Sequence, residues 1–186
     1  MLPEGLLALL MAIPQSAPPS VDPGDGRHYR QLAQQPAAMP DRLFVLQENA
    51  IGLREQAIAQ LVAERALDPR VKEIAGRFAD AHGAGVAMLQ RIAGGMGIEI
   101  PDAITTLETA QLDALRALQP RDLETWWLLH QRAMHAWDIA TFTDYAGRST
   151  NADLDRYVRS VIKPLRTHST EIDRLVETGE LVSPRR

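Results

Sequence analysis

Glu55, His82 and His168 each fall on an apolar helical stripe of this sequence, and His130 and His135 stand close together on a further stripe-bearing segment. Imidazole and carboxylate together suit zinc, iron, copper or manganese. Helical bundles build such sites from inward-facing side chains on neighbouring helices. His130 and His135 are five residues apart, so they point about 140° away from one another, and only one is expected in a shared site. The candidate ligand set is therefore Glu55, His82, His135 (or His130) and His168, around a single transition-metal ion. The competing reading makes each histidine a hydrogen-bonded core residue. Glu48 and Glu55 would then reach solvent from a stripe edge on their long stems.

Two local features bear on this set. In Phe78-Ala-Asp-Ala-His-Gly-Ala-Gly-Val86, two glycines follow His82, and a helical glycine costs roughly 1 kcal/mol relative to alanine. Gly85 lies one turn beyond His82 on the same stripe and leaves space beside the imidazole, whereas Gly83 points elsewhere. Pro164 stands one turn before His168; it removes a backbone hydrogen bond and should bend the helix there.

Other chemistries are excluded or weakly supported. A di-iron carboxylate cage needs a Glu-x-x-His pair on each of two helices. Three residues before His82, His130, His135 and His168 stand Ala79, Trp127, Arg132 and Leu165, so ferroxidase chemistry is not expected. There is no Gly-x-Ser-x-Gly elbow, no phosphate-binding glycine loop, and no base at a recognisable spacing from Ser160 or Ser169. Were the protein a metal-dependent enzyme, Glu124 or Asp138 would be the base beside the ion. Trp126, Trp127 and Trp137 read as packing residues; in a metal-free structural or interaction bundle, one of them would anchor an oligomer interface.

The elements that must position these residues follow from period and punctuation. A first helix is predicted over about Asp41 to Ala66, capped by Asp41, with stripe Phe44, Glu48, Ile51, Glu55, Ile58 and Val62. Asp68-Pro69 starts a second, which Gly94-Gly95 stops. Pro101-Asp102 opens a shorter helix to about Leu118. Pro120 begins another that reaches about Ala146, and Ser149 to Asp153 supplies turn and cap residues before the last, which Gly179 ends. Four long amphipathic helices, a shorter one between the second and third of them, and no strand pattern predict an all-α bundle.

Length and composition agree with one globular domain: 186 residues, 45% hydrophobic and 24% charged. Net charge is −4, and no basic block accompanies it, which sets nucleic-acid binding aside. The chain has no cysteine, so disulfides and cysteine-ligated metal centres are excluded. Leu6 to Ile13 is an apolar run too short to span a bilayer and of a length that suits a secretory leader, although Glu4 and no basic residue precede it. Export is expected on that basis, and a cytoplasmic location if the run is not a leader. The expected organisation is a leader and proline-rich linker over 1–40, a helical domain over 41–180 and a tail over 181–186, with no transmembrane helix in the mature chain.

Several segments resemble a bacterial family, domain of unknown function 4142, regarded as exported and ferritin-like. They are Leu53 to Ala63 with Glu55 in the acidic position, Asp68 to Ala75, Phe78 to Leu89, Leu123 to Phe142 with Trp127 eight residues before His135, and Ile162 to His168. The resemblance spans about Leu43 to Val176. It implies a ferritin-like four-helix bundle with the short helix in its crossover, export to the periplasm or envelope, and an envelope or stress-related role; it implies no activity. Three positions depart from the family pattern. Ala81 replaces the aspartate before His82, Leu123-Glu124 replaces a Phe-Asp pair, and the step from Pro164 to His168 is one residue short.

Overall fold

The computed structural model describes residues 39–177. The predicted leader, the proline-rich segment up to 38, and the Gly179 stop and tail lie outside the described residues. Five helices follow in order: α1 Met39–Arg65, α2 Pro69–Gly95, α3 Thr106–Arg116, α4 Pro120–Tyr145 and α5 Ala152–Glu177. No strand occurs among the described residues, and the fold is all-α.

Punctuation accounts for most boundaries. Asp68 caps α2 by accepting from the Arg70 N–H, with Pro69 in the first turn, where its missing N–H costs nothing. Gly97 follows α2 with φ 67°, a left-handed conformation that glycine adopts freely, and the Ile98 N–H returns to the Ala93 carbonyl at 2.9 Å. Gly147 has the same role after α4, with φ 83°. The Asn151 side chain then accepts from the N–H groups of Asp153 and Leu154, both at 3.0 Å, to start α5.

Two boundary expectations are corrected. Asp41 does not cap α1, which begins two residues earlier. It is buried and accepts hydrogen bonds from the hydroxyls of Tyr145, Ser149 and Thr150, so it ties the start of α1 to the α4–α5 turn. The short helix starts at Thr106 rather than at Pro101-Asp102: Thr105 and Glu108 form a reciprocal capping box, which satisfies two end N–H groups at once. Leu107, in the first turn of this helix, is 60% exposed.

Packing makes two helical hairpins. α1 lies against α2 and α4 against α5, and the pairs face each other through α1–α4 and α2–α5. The segment from Met96 to Gln119, which carries α3, joins them. Asn49 Nδ2 donates to the Pro101 carbonyl at 2.8 Å and holds that segment against α1.

The core is divided. One apolar cluster contains Ile58, Val62, Phe78, Trp127 and Ile172; the other contains Phe44, Leu89, Phe142, Leu154 and Val158. Between them lies a polar waist with Glu48, Glu55, His130, Gln131, His135 and Asp138 all buried. The stripe of α5 shows the same division. Leu154, Val158, Ile172 and Leu175 are buried, while Val161, Leu165 and His168 are only half-buried around Pro164.

Candidate functional site

A partly open cavity of about 120 Å³ lies at the waist. Its polar lining comes from four helices: Glu48 of α1, His82 of α2, His135 and Asp138 of α4, and Tyr157 and His168 of α5; Phe78 and Phe142 line it as well. Of the residues singled out from sequence, His82, His135 and His168 thus share one cavity.

The rings form a cluster around Phe78. Its ring centroid is 5.1 Å from that of His135 and 4.4 Å from that of His168, and the two histidine centroids are 5.7 Å apart. His135 places Nδ1 2.9 Å from the Gln131 carbonyl. A carbonyl only accepts, so Nδ1 carries the proton and Nε2 keeps a bare lone pair. Burial pushes His135 down to about 4 and lowers His82 and His168 as well. All three imidazoles are therefore neutral at pH 7, the form that ligates metals.

Glu55 is engaged elsewhere. His130 donates Nε2–H to its two oxygens at 3.0 and 3.1 Å, Gln131 donates at 2.8 Å, and Arg54 Nε lies 3.3 Å away. Burial alone would raise the Glu55 carboxyl, but its interactions with His130 and Arg54 hold it well below the usual carboxylate range. The His130 ring also stacks on Trp126 at 4.8 Å. Both α4 histidines are buried: His130 pairs with Glu55, and His135 faces the cavity. The four-residue set does not converge, and no three His, Asp or Glu side chains among the described residues stand close enough to hold an ion as they are.

The cavity also has a carboxyl end that the sequence reading used only marginally. Glu48, on the predicted α1 stripe and sent to solvent only in the competing metal-free reading, is 6% exposed, as is Asp138. Glu48 Oε1 and Asp138 Oδ1 have no hydrogen-bond partner. Burial raises Glu48 to about 8, with the nearby charge of Asp138 adding to the effect. Burial and then the charge of Glu55 raise Asp138 to about 7. The spacing His135-x-x-Asp138 was the available signal, because residues three apart share a helix face. Glu124, the other candidate base, is outside the cavity; it accepts the N–H groups of Leu67 and Asp68 and fastens α4 to the α1–α2 turn.

Gly85 takes part in building this end. A Cβ there would lie 3.3 Å from the Tyr157 hydroxyl, so the glycine admits the Tyr157 side chain. Among the tryptophans, Trp126 and Trp127 are core, and only Trp137 reaches the surface, at 41% exposure. No helix among the described residues is long and apolar enough to cross a membrane.

Neither the curated proteins nor the solved structures contain a match to the chain. A family model described as Domain of unknown function (DUF4142) does match, over residues 28–175. That span takes in the long helices that build the cavity except the last two residues of α5, and the chain belongs to this family.

Proposed function

We propose that this protein is a non-catalytic helical binding module that takes one transition-metal ion at the histidine end of its interior cavity. The observation that carries this reading is His135: its Nδ1–H is fixed on the Gln131 carbonyl, the arrangement that orients a metal-ligating imidazole and presents Nε2. Two imidazoles on one tetrahedral ion, with Zn–N near 2 Å, have ring centres about 5 Å apart, and His135 and His168 are at 5.7 Å. His82 and His168 line the same cavity and are half-buried, and in this reading their side chains turn toward His135 to make a three-histidine set. Water would occupy the open position. Glu55 is not part of the set in this reading.

Chelator-treated protein without a histidine tag, titrated with Co²⁺, tests it. One equivalent should produce visible d–d bands that Zn²⁺ bleaches. His135→Ala and His168→Ala should lose them, and Glu55→Gln should keep them if folded. A spectrum that stays that of free Co²⁺ overturns the reading.

A second reading, a metal-free structural or interaction bundle, is favoured by the Glu55–His130–Gln131 network, which is satisfied without any ion. It predicts thermal stability indifferent to chelator, and self-association that Trp137→Ala abolishes in light scattering. The envelope setting belongs to either reading. It rests on the leader-like run and the family resemblance, and cell fractionation tests it.

A further inference from the structure

We infer that the carboxyl end of the cavity is a second, oxygen-donor site for a hard divalent cation of the Mn²⁺ or Mg²⁺ class, held by Glu48 and Asp138 and distinct from the histidine end. Buried polar atoms are almost always paired, and an orphaned one calls for a partner such as a water or an ion. Here two orphans, Glu48 Oε1 and Asp138 Oδ1, lie on different helices and line one cavity. Burial and mutual repulsion disfavour ionising both acids in this space, and a divalent cation that displaces their protons would offset both charges at once, which a hydrogen-bonded water would not.

The dimensions suit such an ion. Mg²⁺-like cations are bound through one or two carboxylates and keep several waters. A water requires roughly 10–15 Å³, and the cavity offers about 120 Å³. The absence of any three-residue cluster among the described residues is no obstacle to a site completed by water. The Tyr157 hydroxyl is at the same end. Tyr157 lines the cavity together with Glu48 and Asp138, and Gly85 opposite leaves its hydroxyl room. The two ends also differ in donor type. Oxygen selects Mg²⁺ and Mn²⁺, whereas imidazole selects zinc, copper and iron.

Mn²⁺ is the probe, because the free aquo ion has a six-line magnetic-resonance spectrum that fades on binding. Chelator-treated full-length chain should remove one equivalent of that signal. Glu48→Gln and Asp138→Asn should each weaken binding at least tenfold, while His168→Ala should leave it unchanged and lose only the Co²⁺ bands. Mn²⁺ should also raise the melting temperature of the parent but not of Glu48→Gln. Either carboxyl variant that retains the helical circular-dichroism signal suffices for the comparison. An undiminished Mn²⁺ spectrum, or binding unaltered in a folded carboxyl variant, overturns the inference whatever the Co²⁺ result.

Discussion

Replacing Glu48 by glutamine should make the protein's stability less dependent on pH. The Glu48 carboxyl lies among apolar side chains, close to Asp138, and is raised from an ordinary 4.5 to about 8. Between those values the folded chain holds a proton that the unfolded chain has released. Stability from this group is therefore fully present below pH 4.5, falls as pH rises, and is gone above about pH 8. At 1.36 kcal/mol per pKa unit, the parent should lose roughly 3–4 kcal/mol through Glu48 between pH 5 and pH 8. Glutamine cannot ionise, but its amide adds donors that need partners, at a cost of about 1–3 kcal/mol. The variant should thus be less stable than the parent at pH 5 and equal or more stable at pH 8. Urea denaturation in chelator-containing buffer at both pH values measures this directly. Two curves that stay a constant distance apart would show that Glu48 does not titrate in this range and would refute the argument.

Glu55→Ala should destabilise the fold by roughly 3–5 kcal/mol, the usual cost of breaking a buried pair, because it strands His130 and Gln131; equilibrium denaturation reads the loss. Two glycines in helices should respond in opposite directions. Nothing lies within 4 Å of a Cβ at Gly76, so Gly76→Ala should gain about 1 kcal/mol of helix propensity. At Gly52 a Cβ would meet Val86 Cγ2 at 2.8 Å, so Gly52→Ala should cost roughly 1–3 kcal/mol through overpacking of α1 against α2. Melting temperatures of the two variants, one above and one below the parent, check the pair.

The helices were legible because their signals are local. Pro69, Pro120 and Gly94-Gly95 punctuate the chain, and the α1 stripe from Phe44 to Val62 is buried throughout, its two glutamates included. Asp41 has the chemistry of a cap, and only its contacts with the α4–α5 turn, more than a hundred residues away, assign it another role. The site was legible in part for the same reason. Periodicity placed His82, His135 and His168 on inward faces, but their level along the bundle is set by how the hairpins dock. That level decides that His130, not a metal, meets Glu55. It also brings Glu48 to Asp138, two acids 90 residues apart whose juxtaposition no spacing encodes.

Glu124 joins parts of the chain that would otherwise be electrically opposed. α2 and α4 begin at the same end of the bundle, and each helix start carries about half a positive charge from its aligned peptide dipoles. The Glu124 carboxylate sits in the opening turns of α4 and accepts N–H groups from Leu67 and Asp68, at the threshold of α2. One anion therefore serves two dipoles and sets the longitudinal register between the hairpins. Because a helix rises only 1.5 Å per residue, a slip of a single residue at this fastening would carry His135 and Asp138 along the cavity together. The alignment of the waist is in this sense fixed from the end of the molecule.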